Sequence, residues 1–329
     1  MIGTPMSALF MFWLLIWVLA AVGLAAVALF LMLRAPLKPP PRLASIGDGA
    51  MRVDAEGLPD LSRFQARDGT WLAYRSYPPN RAGDRMAILA HGSAGASSQM
   101  NGVARALANV GIAAVAVDFR GHGASGTRGD TAYAGQLDDD LADLIGELRK
   151  IHPRARLSFA GHSSGGGFGL RVASGPLGGA FERFVLLAPY LGWRAPTSRP
   201  AKGAGLWASA DVPRIIALQT LARFGVDWAQ SLPVVAFATG LGARNFMTNQ
   251  YSFRLMQSYA APDDWKGAFE RAKAPTVIIA GSDDELMDAP AYERALAPLG
   301  VTVTLLPGVD HLGLCWRPEA IEAIVAALG

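Results

Sequence analysis

Residues 158–167 read S-F-A-G-H-S-S-G-G-G, and everything else in the chain can be ordered around them. Inside this stretch, Gly161-His162-Ser163-Ser164-Gly165 is a G-x-S-x-G that directly follows a strand-like run at residues 155–160. Residues 165–173 follow with helical spacing. On a sharp strand-to-helix turn a serine is held out at the tip, and glycines flank it because side chains there would collide with neighbouring backbone. Ser163 is therefore a candidate nucleophile. The pattern arises by chance in Gly- and Ser-rich chains; its place between a strand and a helix is what gives it weight.

A serine nucleophile needs a base, an acid that orients the base, and donors for the oxyanion, and on this kind of turn the chain order is Ser, then Asp or Glu, then His. The chain has five histidines, His91, His122, His152, His162 and His311, and only His311 lies after Ser163. It follows the β-branched run 301–305, on a loop at the end of a strand, where catalytic residues collect in open parallel sheets. The acid is expected between the two, again at a strand end. The apolar run 274–280 breaks at Gly281-Ser282-Asp283-Asp284-Glu285, so several carboxylates compete. Asp284 is preferred, with Asp283 as runner-up and Asp288 and Asp310 behind it; most of these are expected to be solvated loop charges or helix N-caps. For the oxyanion, one N–H comes from the residue after the nucleophile, Ser164. A second comes from a loop after an earlier strand, and residues 86–90 form such a strand, ending in His91-Gly92-Ser93-Ala94-Gly95. Ser93 N–H is the expected donor, against the plainer reading of an ordinary turn into a helix from about Ser97.

Taken together these residues resemble the α/β-hydrolases, and within them the monoacylglycerol lipase, lysophospholipase and serine aminopeptidase-like group. That group carries H-G-x-G, D-x-x-G-H-G-x-S, G-H-S-x-G-G, G-S-x-D and G-x-x-H in this order. The chain has H-G-S-A-G at 91–95, D-F-R-G-H-G-A-S at 118–125, G-H-S-S-G-G at 161–166, G-S-D-D at 281–284 and G-V-D-H at 308–311. The resemblance spans residues 64–329 and strengthens Asp284 over Asp283. It departs at Ala94, where the group often has glycine. It implies a Ser163–Asp284–His311 triad and a carboxylic-ester hydrolase acting on a monoacylglycerol, a lysophospholipid or a similar lipid ester. An amidase or aminopeptidase is the alternative within enzymes, and a catalytically silent, membrane-tethered binding protein the alternative outside them; the latter usually lacks a triad member.

Periodicity independently predicts an α/β fold with a mostly parallel, doubly wound sheet. Apolar runs at 86–90, 112–117, 157–160, 184–188, 276–280 and 301–305 alternate with helical patterns such as 101–110, 136–151 and 318–328. Segments 61–67 and 70–77 flank an Asp68-Gly69 turn and read as an antiparallel hairpin. Between about 190 and 271 some eighty residues are inserted, expected as a helical lid over the site. They include Trp193, Trp207, Trp228, Phe237, Phe246, Tyr251, Phe253 and Tyr259, which either line an acyl-binding surface or make the insertion's own small core. Asp211, Asp227 and Glu270 there are the carboxylates that could meet a substrate amine.

The other dominant feature is N-terminal: the twenty-six residues 8–33 carry no charge, more than the ~20 needed to cross the hydrocarbon layer as a helix. A cleaved signal peptide fits less well, because no Lys or Arg precedes the run, the run is too long and no A-x-A-like site ends it. Arg34, Lys38 and Arg42 follow at once, so the positive-inside rule puts the C-terminal part in the cytoplasm. The expected organisation is an anchor at 1–34, a Pro-rich linker at 35–60 and a catalytic domain at 61–329. One cysteine, Cys315, excludes intramolecular disulfides and is expected to be buried and inert. No cofactor or metal is expected, for no His, Cys and carboxylate cluster has ligand spacing. A net charge of +3 without a basic block interleaved with aromatics gives nucleic-acid binding no support.

Overall fold

The computed structural model of the chain describes residues 6–40, 57–81, 83–199, 207–239 and 247–329. Helix α1 spans Met6–Arg34. Strands β1 (Leu61–Gln65) and β2 (Trp71–Tyr77) form the antiparallel hairpin around Asp68-Gly69, where Gly69 takes φ 83°. There follow β3 (Arg85–Ala90), α2 (Asn101–Asn109), β4 (Ala113–Asp118), α3 (Gln136–Ile151), β5 (Arg156–His162), α4 (Ser164–Ser174) and β6 (Phe181–Leu187). The insertion holds β7 (Ala208–Ala210), α5 (Val212–Arg223), β8 (Pro233–Phe237), β9 (Gln250–Ser252), α6 (Phe253–Ser258) and α7 (Trp265–Glu270). The chain then returns through β10 (Thr276–Gly281), α8 (Ala289–Leu296), β11 (Val303–Leu306) and α9 (Pro318–Leu328).

Eight strands make one sheet in the order β1-β2-β4-β3-β5-β6-β10-β11, and every pairing from β4 onward is parallel. Ile88, Leu89, Phe159, Phe184, Leu186 and Ile278 are fully buried in it, which is why these strands read as unbroken apolar runs rather than as alternations. Helices close both faces. Helix α2 buries Val103, Ala104, Leu107 and Ala108 on one side, and α9 buries Ala320, Ile324 and Leu328 at intervals of four. The helix expected from Ser97 begins as a 3₁₀ turn, Ser97–Met100, whose first N–H donates to Asp118 Oδ1 at 2.7 Å. All the parallel strands point their C-terminal ends the same way, so the loops after β3, β5, β10 and β11 gather at one edge.

The insertion holds the helices expected of it, α5, α6 and α7, and adds a small sheet to them. Strands β7, β8 and β9 form an antiparallel sheet of three, and the β-branched pair Val234-Val235 in the middle strand favours that extended form over a helix. Leu218, Ala229, Val234 and Phe253 make a small satellite core beneath it. Phe237, Tyr251 and Tyr259 are buried against the main core, whereas Trp193 and Trp228 are 74% and 77% exposed. Phe246 lies outside the described residues, as do Arg42 and most of the Pro-rich linker.

In α1, residues 8–28 are exposed on every side, and the last turns rest on the insertion. Leu33 packs beside Ile215 at the satellite core. The buried Arg214 guanidinium donates from Nε to the Leu33 carbonyl at 3.1 Å and from Nη2 to the Ala35 carbonyl. Its own backbone N–H donates at 3.0 Å to Asp211, the N-cap of α5.

Candidate active site

Ser163 closes β5 with φ 54° and ψ −116°, outside the regions L-residues ordinarily occupy. Such a conformation costs on the order of 1–3 kcal/mol and persists only where neighbours dictate it. They do so here: Ser163 N–H donates to Leu187 C=O at 2.8 Å, and Ser163 C=O accepts from Tyr190 and Gly167 N–H at 2.9 and 3.0 Å. The flanking glycines are required by close approach. A Cβ on Gly161 would lie 2.2 Å from the Gly165 carbonyl oxygen, and one on Gly165 would lie 2.4 Å from that of His91.

Asp284, fully buried at the end of β10, points Oδ2 at His311 Nδ1, 2.7 Å away. Its Oδ1 accepts from Leu286 and Met287 N–H at 2.9 and 2.7 Å. Burial alone would raise the Asp284 pKa, but His311 and these N–H groups outweigh it and hold the carboxyl below its ordinary value. For His311, burial works to lower the pKa, and the Asp284 charge and hydrogen bond, helped by Glu285 and Asp310, bring it above the ordinary imidazole value. Because Nδ1–H faces the carboxylate, Nε2 is the lone-pair nitrogen. The rival carboxylates are engaged elsewhere: Asp283 accepts from Ser282 Oγ on the surface, Asp288 pairs with Arg294, and Asp310 accepts from Gly313 N–H.

The His311 ring lies 4.6 Å, centre to centre, from that of His162, the residue before Ser163, so base and elbow are neighbours. Among the described residues no hydrogen bond joins Ser163 Oγ to His311, a looseness common before substrate binds. Gln99 Nε2–H donates to His162 Nδ1, and His162 Nε2–H donates to the His311 carbonyl, each at 2.9 Å. Burial, and then the neighbouring His311, push the His162 pKa down to about 3, so it stays neutral and serves as a spacer.

In the loop after β3, Ala94 takes φ 62°, the left-handed conformation for which the glycine of the resembling group is suited. Gly92 N–H donates to Gln99 Oε1, Gly95 N–H to Gly92 C=O and Ala94 N–H to Tyr251 Oη. Ser93 N–H alone of these four has no partner among the described residues, and Ser164 N–H opens α4 at the positive end of the helix dipole. The sequence singled out Trp207, Tyr251 and Tyr259 as aromatics of the insertion but not as partners of this loop, and it singled out neither Gln99 nor Thr248. Gln99 had a signal, one helical turn after the glycines; Trp207, Thr248, Tyr251 and Tyr259 had none, being far away in sequence.

With the fold and this geometry in view, the chain can be set beside known proteins. The profile of the hydrolase family described as serine aminopeptidase, S33, matches residues 83–314. The chain belongs to that family. A monoacylglycerol lipase of Mycolicibacterium smegmatis is 30% identical over 150 residues, 40% of this chain, and the match spans about half of that relative, 54%. Among solved structures, a soluble variant of the monoglyceride lipase of Saccharomyces cerevisiae, in complex with a substrate analogue, superposes with a TM-score of 0.61 at 17% identity, covering 83% of this chain and 94% of that one. The monoacylglycerol lipase of Paleococcus ferrophilus gives 0.58 at 21%, covering 78% and 98%. A membrane phospholipase A described as a bacterial virulence factor gives 0.56 at 18% and covers 98% of both chains. At these identities the structural likeness is one of fold.

Proposed function

We propose that the protein is a membrane-anchored serine hydrolase that cleaves carboxylic esters of lipid-like substrates, in the manner of a monoacylglycerol lipase or lysophospholipase. The observation that carries this reading is the 2.7 Å Asp284–His311 bond set beside the Ser163 elbow. Ser163 Oγ attacks the ester carbonyl while His311 Nε2 takes its proton, and Ser93 and Ser164 N–H receive the oxyanion. The carbon–oxygen bond to the alcohol breaks as His311 returns the proton to the leaving oxygen. Water, deprotonated by the same nitrogen, then attacks the acyl-enzyme, and the acid leaves as Ser163 regains its proton. Asp284 holds the imidazole in the tautomer these transfers need.

The domain organisation follows the same reading: anchor at 1–34, linker at 35–60, catalytic domain at 61–329 with the insertion as its lid. The exposed stretch 8–28 is twenty-one residues, ~31 Å of helix, against a hydrocarbon core of ~30 Å. Helix α5, which meets the end of that helix, exposes Val212 and Ile216, in keeping with a site that works at a lipid surface. The basic flank at Arg34 and Lys38 favours a cytoplasmic catalytic domain. For the amide alternative, Asp211 caps α5 through Oδ1 and pairs through Oδ2 with Arg214 Nε at 3.5 Å, and Asp227 and Glu270 are exposed, so none of the three is a buried carboxylate without a cation already beside it.

A fluorophosphonate probe should label the wild type and not Ser163→Ala. Because each buried methylene contributes ~0.8 kcal/mol, kcat/KM for p-nitrophenyl esters should rise from two-carbon to medium acyl chains, with aminoacyl-nitroanilides turned over poorly. Better turnover of the anilides would overturn the ester reading. A C-terminal alkaline phosphatase fusion in a bacterial host should be inactive; strong activity would put the domain on the other side.

A further inference from the structure

The glycine-rich loop after β3 is held largely by the insertion rather than by the sheet. Ala94 is gripped on both sides: its N–H donates to Tyr251 Oη at 2.8 Å, and its C=O accepts from Thr248 N–H at 3.0 Å. Trp207 Nε1–H donates to Ser93 Oγ at 2.9 Å, and Tyr259 O–H donates to the His91 carbonyl. Tyr251 is also bound from the other side, by His122 Nε2 at 2.5 Å. His122 belongs to the D-F-R-G-H-G-A-S segment, which the chemistry assigned to Ser163, Asp284 and His311 leaves without a role.

The direction of these bonds can be worked out donor by donor. Ala94 N–H can only donate, so Tyr251 Oη accepts there and must point its own hydrogen elsewhere. His122 Nδ1 lies 3.2 Å from the Arg120 carbonyl, which can only accept, so the His122 proton sits on Nδ1 and Nε2 is left as an acceptor. Tyr251 O–H therefore donates to His122 Nε2. Ring packing holds the array: His122 meets Tyr251 edge-on with centres 5.1 Å apart, and His91 and Tyr259 lie 4.7 and 5.3 Å from His122. Burial, with His91 nearby, keeps the His122 pKa well below its ordinary value, so the acceptor persists at neutral pH.

We propose that Tyr251 and His122 are positioning residues for the oxyanion site: the chain Ala94 N–H to Tyr251 O–H to His122 to Arg120 C=O fixes the left-handed turn at Ala94 and so aims Ser93 N–H at the reacting carbonyl. Ala94 is wholly buried and cannot turn to water for a replacement acceptor. Removing the Tyr251 hydroxyl strands its N–H, and the turn must rotate to satisfy it, carrying the adjoining Ser93 peptide away from its aim. Tyr251 and His122 touch neither the nucleophile nor the base, and they act only through the loop.

This inference rests on the ester-hydrolase reading, and its test is arranged so that the two can fail separately. In the full-length protein, Tyr251→Phe keeps the ring packing and removes only the hydroxyl. Its kcat for a p-nitrophenyl ester, per site titrated to completion with a fluorophosphonate, should fall about 10- to 100-fold, the scale of losing an oxyanion donor or somewhat less, while KM stays within about threefold. Affinity for a tetrahedral boronic acid should fall in proportion to kcat. His122→Phe, which leaves Tyr251 in place without its acceptor, should give the same split at smaller size. Leu148→Ala, which opens the core beneath α3 outside the insertion, is the stability control, with a lowered Tm and unchanged kcat per site. Wild-type kcat per site in Tyr251→Phe, or a loss confined to the number of titratable sites, overturns the positioning role. Wild-type turnover that survives in Ser163→Ala overturns the reading beneath it instead.

Discussion

The two sides of the candidate site are held by different kinds of structure. Ser163, Asp284 and His311 stand at or just beyond the ends of β5, β10 and β11, whose parallel register fixes their spacing. The Ser93–Ala94 turn hangs from the end of β3 and is held by hydrogen bonds from Trp207, Thr248 and Tyr251, residues more than a hundred positions later. Position on the first side is set by backbone ladders shared with the whole domain, and on the second by a few side chains of a separately packed insertion. Damage to the insertion should therefore reach the oxyanion side first and leave the Asp284–His311 pair intact.

The sharpest break in this contrast should come at Asp284. Asp284→Asn removes the carboxylate bonded to His311 Nδ1 and, if the proposed triad holds, should lower kcat by up to ~10⁴-fold, as in the serine-protease template. Asp283→Asn, on the surface beside it, should change kcat by less than about threefold. Steady-state kinetics of the two purified variants checks this, and equal losses would mean that the acid has been misassigned.

The pH profile reads the same side without mutation. In the proposed mechanism His311 must be neutral to act as base, and its pKa is raised above the ordinary 6.5. The rising limb of kcat/KM should thus lie above pH 6.5, and Tyr251→Phe should leave it in place, since its relay does not meet His311. The linkage to stability has matching signs. The His311 contribution is complete below 6.5 and is lost as pH rises through the raised folded value; that of Asp284 is present above 3.8 and is lost as pH falls through its lowered folded value. A limb at or below 6.5 would deny the pair its coupling.

The smallest effect is expected at the seam between the sides, where Gln99 Nε2 reaches Cys315 Sγ at 3.7 Å. Burial pushes the Cys315 thiol up to about 12, so it is neither a nucleophile nor open to thiol reagents near neutral pH. Cys315→Ala should alter kcat by less than about threefold, and iodoacetamide should leave the native protein active. Rapid inactivation would reopen the assignment of the nucleophile.

The same contrast explains what the sequence could reveal. The sheet was legible because strands buried on both faces write themselves as apolar runs that stop at glycine, as 276–280 stops at Gly281, and because the elbow glycines are forced by contacts within a few residues. The insertion was much less so. Strands β7 and β9 are three residues each, too short for any period to register, and the run around Val234 reads equally well as strand or helix until its partners are known. Tyr251 looked like one more aromatic: nothing local marks a hydroxyl whose partner N–H lies 157 positions earlier.

Arg214 gives α1 a further consequence, one that concerns maturation. A detachable leader leaves nothing behind when a peptidase removes it, because the mature fold never leaned on it. Here the buried guanidinium is bonded to the carbonyls of Leu33 and Ala35. Cleavage after the apolar run would take the Leu33 carbonyl away and leave Ala35 at a frayed, charged terminus, so that the guanidinium would keep only the Pro233 carbonyl and the Asp211 carboxylate, 3.5 Å from its Nε. If the proposed anchor stays attached, deleting residues 1–34 should therefore lower the Tm of the remainder, which a thermal melt of the two forms checks.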